Sequence, residues 1–128
     1  MMSQTLTSHL KIALKTDNAK TFAKLLNDEN LNACYEAGNS SYTLLALVIK
    51  TDAKNCFRVL LEKKVDLEKA CSSKTPLMYT VKYGNLEMAE VLIKAGANPK
   101  AENNQGRTAL DYAKKYEQKK LEMYLESL

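Results

Sequence analysis

The strongest constraint on this chain is that it repeats itself. Lys15, Lys50, Lys82 and Lys115 fall 35, 32 and 33 residues apart. Around the first two the text nearly recurs, with KTDNAKTFAKLL from Lys15 and KTDAKNCFRVLL from Lys50. Paired apolar residues keep the same spacing at Leu25-Leu26, Leu60-Leu61 and Leu92-Ile93, and more weakly at Leu125. Thr43, Thr75 and Thr108 mark a common point in three units. A fixed period in this range means supersecondary units that bury their apolar faces by stacking on their neighbours.

The third unit shows what each one folds into. Thr75 caps a helix through its hydroxyl, and Pro76 takes the first helical position, where a missing N–H costs nothing. The helix is expected from about Pro76 to Tyr83, ended by Gly84 in the left-handed conformation. Leu86, Met88, Ala89, Leu92 and Ile93 form an apolar stripe at helical spacing, which predicts a second helix. Gly96 stops it and Pro99 prevents its resumption. The polar stretch from Ala101 to Arg107 leads to Thr108, where Asp111 completes a capping box with Asp in place of Glu. Each unit therefore reads as helix, tight turn, helix, extended loop.

These residues resemble a known family. Thr75-Pro76-Leu77, followed by Gly84-Asn85-Leu86-Glu87-Met88-Ala89-Glu90-Val91-Leu92-Ile93-Lys94-Ala95-Gly96-Ala97-Asn98, is similar to an ankyrin repeat. The fourth unit matches through Gly106, Thr108, Leu110 and Ala113. The first two units depart from the pattern. Asp17 and Asp52 stand where Gly84 stands, and Glu29 and Lys64 where Gly96 stands, so these four positions are expected at positive φ. The resemblance implies an all-α solenoid of stacked helix-turn-helix units with hairpin-like loops. It implies one domain over residues 1–128, with repeats at about 5–37, 38–69, 70–102 and 103–128, the first and last acting as caps. It also implies protein binding, through the loop fingers and a concave face lined by the inner helices, with no enzymatic activity.

In the family pattern the variable inner-helix positions lie just before the helix-ending Gly. Here they hold Lys15, Lys50, Lys82-Tyr83 and Lys115-Tyr116. Tyr79 and Tyr112 lie four residues before Tyr83 and Tyr116, so each pair shares a helix face. Met78 and Asp111 occupy the place where the family often has His, and Lys74 and Arg107 precede their Thr on the fingers. These twelve residues are the candidate partner-binding set. Successive lysines would sit roughly 8–10 Å apart, about a Debye length, so a partner with spaced carboxylates could engage several. Lysine in a last helical turn also favours the helix dipole, and that alone would account for the column. Burial between repeats is the alternative for Tyr79 and Tyr112, while Tyr83 and Tyr116 precede the turn and should be more exposed.

Composition excludes more than it selects. Nineteen basic and fifteen acidic residues give a net charge of +4, which suits an acidic protein surface without demanding nucleic acid. Only Arg58 and Arg107 are arginine, so nucleic-acid binding through a Lys–Tyr groove is an alternative and not the first reading. An immunity-type inhibitor of one enzyme or toxin is a narrower alternative that the small size permits. One histidine, His9, and no nucleophile motif or phosphate loop leave nothing to build an active site, a metal site or a cofactor site from. Cys34, Cys56 and Cys71, an odd count without paired spacing, are expected to be reduced thiols, with Cys71 on a finger. No basic segment followed by an apolar stretch opens the chain, and the longest apolar run, Leu44 to Ile49, is too short to span a bilayer. A cytoplasmic monomer is the expectation. Asn39-Ser40-Ser41 matches a glycosylation sequon and is read as loop chemistry. The closing segment is amphipathic, with Leu121, Tyr124, Leu125 and Leu128 on one side, and is expected to cap the stack.

Overall fold

Four threonines set the frame. In the computed structural model, which describes residues 4–128, the side chains of Thr7, Thr43, Thr75 and Thr108 each accept a backbone N–H three residues on, from Leu10, Ala46, Met78 and Asp111. Each thereby starts an inner helix: α1 (Ser8–Lys15), α3 (Leu44–Thr51), α5 (Pro76–Lys82) and α7 (Ala109–Lys115). After a tight turn each is followed by an outer helix: α2 (Ala19–Leu25), α4 (Lys54–Glu62), α6 (Leu86–Ala95) and α8 (Lys119–Glu126). The four helix pairs pack in chain order. α1 meets α3, α3 meets α5, α5 meets α7, and α2 meets α4.

The core runs between the layers as one cluster. Leu10, Phe22, Leu45, Val48, Leu60, Leu77, Leu92, Tyr112 and Leu121 are buried in it, with Leu25 and Leu110 packed against its edge. No layer could bury its apolar faces alone, which is why the period in the sequence has to become a stack.

Three features differ from the sequence reading. The chain is not purely helical. Between the first two helix pairs β2 (Tyr35–Ala37) and β3 (Ser40–Tyr42) form an antiparallel hairpin, and β1 (Gln4–Thr5) adds to β2 in parallel. The Asn39-Ser40-Ser41 sequence lies at the turn of that hairpin. Second, Glu29 does not take positive φ. α2 ends at Leu25, with Leu26 extended. In the following turn the backbone N–H of Asn27 and of Asn30 each donates to the other's side-chain oxygen at 2.9 Å, and Asn30 Nδ2 donates to the Leu25 carbonyl at 2.7 Å. Third, Leu128 is exposed, because α8 stops at Glu126; Leu121 and Leu125 are buried and Tyr124 packs against the edge of the core.

The remaining turns follow the pattern closely. Asp17, Asp52, Gly84 and Glu117 are all left-handed, as are Lys64 and Gly96. Thr108 and Asp111 form the reciprocal capping box, at 2.9 and 3.2 Å.

Candidate functional site

The inner helices carry a disproportionate share of the charge. Lys11, Lys15, Lys50, Lys82, Lys114 and Lys115 stand on them against the single carboxylate of Asp111. Their balance of +5 exceeds the +4 of the whole chain. All six lysines are exposed. The other carboxylates sit in turns, on fingers and on outer helices, so the inner helices are basic by placement rather than by composition.

Aromatic rings are set among these lysines. The ring of Tyr79 stacks on Tyr83 at 6.3 Å between centroids, and Tyr112 on Tyr116 at 5.8 Å. The inner member of each pair is buried, Tyr79 being 5% and Tyr112 2% exposed, whereas Tyr83 is 37% exposed and Tyr116 is half-buried. The i to i+4 spacing on one helix face produces both stacks. Ammonium groups approach the rings: Lys50 lies 4.8 Å from the Tyr42 centroid, Lys74 5.1 Å from Tyr112, Lys82 5.6 Å from Tyr83 and Lys115 5.9 Å from Tyr116. Such contacts hold long side chains in place while leaving the charge available.

Burial pushes the Tyr79 phenol up to about 12, with its neighbours Tyr42 and Tyr83 adding to the effect. Tyr83 is raised too, first by burial and then by Tyr42 and Tyr116. These two phenols stay neutral near physiological pH, so they add no negative charge beside the ammonium groups.

The twelve candidate residues thus divide. Lys15, Lys50, Lys82, Tyr83, Arg107, Asp111 and Lys115 are exposed, and Lys74 and Tyr116 are half-buried. Met78, Tyr79 and Tyr112 are corrections to the set, because their side chains are buried. Met78 is fully buried, and its thioether accepts the Thr75 N–H at 3.4 Å, acting as the second half of a capping box. Tyr112 is held by Asn103, whose Nδ2 donates to its hydroxyl at 2.9 Å and to the Ser73 carbonyl at 2.9 Å. Asp111 is exposed but engaged, since its carboxylate accepts the Thr108 N–H.

Two contributors went unseen in the sequence. Tyr42, at the end of the β-hairpin, packs on Tyr79 at 5.5 Å between centroids and carries Lys50. It precedes Thr43 as Lys74 and Arg107 precede Thr75 and Thr108, so the period marked its position, but the strand that seats its ring against Tyr79 was not expected. The second is covalent. Cys34 and Cys71 form a disulfide with Cα atoms 5.7 Å apart, joining the segment before β2 to the finger before α5. This overturns the expectation of three reduced thiols and of Cys71 as a free one. Their separation of 37 residues is close to the repeat period, which was the available signal: residues one period apart meet when repeats stack. Cys56 alone is free. It is buried, and burial together with the Asp17 carboxylate pushes its thiol up to about 12.

Among the described residues no cluster of His, Cys, Asp and Glu is arranged to hold a metal ion, and no helix is long and apolar enough to cross a membrane.

Helix pairs stacked at a period near thirty-three residues, with extended loops between them, define a helical repeat scaffold. The chain belongs to the ankyrin-repeat family. The family model described as ankyrin repeats in three copies matches residues 10–103 and again 67–125. An ankyrin repeat protein of Acanthamoeba polyphaga mimivirus is 31% identical over 90 residues, covering 68% of this chain and 56% of that protein. The chain spans about half the length of this curated relative.

Proposed function

We propose that this chain is a non-catalytic protein-binding module that holds a partner with an acidic surface against its inner-helix face and fingers, as an adaptor or an inhibitor. Ankyrin repeats are generally protein–protein interaction modules, and the observation that carries the more specific reading is the charge placement. Six inner-helix lysines face one carboxylate, with Tyr83 and Tyr116 exposed or half-exposed among them. Rigid amphipathic rings supply contact area at small entropic cost, and the surrounding ammonium groups supply steering and register. The same face suits nucleic acid less well. One side of the Tyr83 and Tyr116 rings is already covered by Tyr79 and Tyr112, which reduces the platform available to bases.

The test is the double variant Tyr83→Ala with Tyr116→Ala, used to capture partners from a lysate of the native organism or its host. Its circular dichroism should stay that of wild type, with a modest fall in melting temperature from the two lost ring stacks, since Tyr83 and Tyr116 lie at the helix ends and neither is fully buried. Capture should be abolished. Undiminished capture would remove this face from the binding site.

A further inference from the structure

We propose that the inner-helix face has a second contact point, an apolar notch between α1 and α3 that takes one large apolar side chain from an acidic segment of the partner. This rests on the reading of the inner face as a protein-binding surface and names what the partner brings to it.

The notch is an open hollow of about 490 Å³. Leu6, Leu14 and Leu47 line it, with Lys11, Lys15 and Thr51 completing the wall. The one hydroxyl there is already used, because Thr51 Oγ1 donates to the Leu47 carbonyl at 2.9 Å. What the notch offers a ligand is therefore hydrocarbon rimmed by two ammonium groups. Lys11 and Lys15 are one turn apart and share a face of α1. The groove further along, beside Lys50, Lys54 and Tyr83, differs: Asp52 and Glu87 also line it. Of these two hollows, the notch combines an apolar floor with a rim that carries lysines and no carboxylate.

That combination selects by charge complementarity. An apolar side chain flanked by Asp or Glu satisfies floor and rim together, while the same side chain flanked by Lys or Arg meets like charge. Exposed ion pairs add little affinity by themselves, so the apolar side chain acts as the anchor and the carboxylates orient it. The spacing also fits one continuous segment. Inner helices pack roughly 10 Å apart, which puts Tyr116 roughly 25 Å from the notch. An extended chain covers that in about eight residues.

The probes are three fluorescent peptides of about ten residues: an Asp/Glu-rich one with a central Phe, the same with Ala for Phe, and the Phe peptide with Lys for every acid. Titrated at low salt into the whole ¹⁵N-labelled chain, the acidic Phe peptide should bind about tenfold more tightly than either control. It should shift the amide signals of Leu14, Leu47 and Thr51. Thr51→Glu, an exposed change that puts a carboxylate on the rim, should remove that preference; the melting temperature should fall only modestly, since the carboxylate opposes the dipole at the end of α3 while the fold is kept. Equal binding of the Ala or the Lys peptide overturns the proposal, as does no binding by any of the three. Shifts confined to Tyr83 and Tyr116 also overturn it, yet leave the inner face standing as the binding surface. Failure of that broader reading shows separately, in undiminished capture by the double tyrosine variant.

Discussion

Asp17 shows how a residue that looks wrong for its backbone can be right for its neighbour. It is left-handed, at φ 51°, where the third repeat uses Gly84. Its carboxylate accepts the N–H groups of Asn55 and Cys56 at 3.1 and 2.9 Å, the first turn of α4 in the next repeat. The residue at the N-cap of α4 is Ala53, which has no side chain to offer. Asp17 is thus a helix cap supplied from one repeat to the next. A left-handed non-glycine residue costs about 1 kcal/mol and a cap contributes about 1 kcal/mol, so the two effects nearly offset.

Lys64 is equally left-handed, at φ 58°, and no cap of this kind offsets it. Lys64→Gly should therefore raise stability by about 0.5–1 kcal/mol, and Asp17→Gly should leave it within about 0.5 kcal/mol of wild type at neutral pH. Urea unfolding of both variants checks this. A comparable gain from Asp17→Gly would show that the cap contributes nothing. Acid separates them further. Burial pushes the Asp17 carboxyl up, but the hydrogen bonds from Cys56 and Asn55 outweigh it and hold the group below its ordinary value of 3.8. A carboxyl lowered on folding contributes stability above its unfolded value and loses it as pH falls through the lower folded one. Wild type should therefore lose stability more steeply than Asp17→Gly below about pH 4.

At the scale of elements, the fingers are tied to one another more firmly than the inner helices required. Ser72 Oγ donates to the Ser41 carbonyl at 3.0 Å, and the Cys34–Cys71 bond closes the same region covalently. A cross-link spanning 37 residues restricts the unfolded chain by about 4 kcal/mol in the entropic account, with about 2–4 kcal/mol typical of measured cases. Reduction should lower the melting temperature accordingly. Thiol alkylation followed by mass spectrometry gives a sharper reading. The native chain should take no label, because the one free thiol, Cys56, is buried. Denaturant alone should expose one site, and denaturant with reductant three. Three labels without reductant would mean that the cysteines are unpaired.

For the whole molecule, the arrangement of charge predicts how binding responds to salt. Lys50→Glu with Lys82→Glu changes exposed residues whose neighbours on the inner helices are mostly basic, but it puts carboxylates in the last turns of α3 and α5, so stability should fall by about 1–2 kcal/mol without loss of the fold. Partner association should slow markedly at low ionic strength, and the difference from wild type should shrink as salt screens the face. Stopped-flow or surface-plasmon measurement of the association rate at two salt concentrations reads both effects. An association rate independent of these lysines would assign them to the helix dipole alone.

The order of the elements was legible because its causes are local. Thr75, Pro76, Gly84 and Gly96 each act within a turn of their own position, through a cap, a fixed φ or a permitted left-handed one. Repetition of such signals then dictated stacking, since no single helix pair can bury its own apolar faces. Tertiary structure decided what depends on the distance between layers. Asp17 reaches α4 across 38 and 39 residues, Asn32 reaches Asp66 across 34, Asn85 reaches Asp52 across 33, and Asn103 reaches Ser73 across 30. The same distance paired Cys34 with Cys71, seated Tyr42 against Tyr79, buried Met78 and opened the notch beside Leu47. Contacts between neighbouring repeats are fixed by how closely two layers settle, and a period states that they settle without stating which side chains meet.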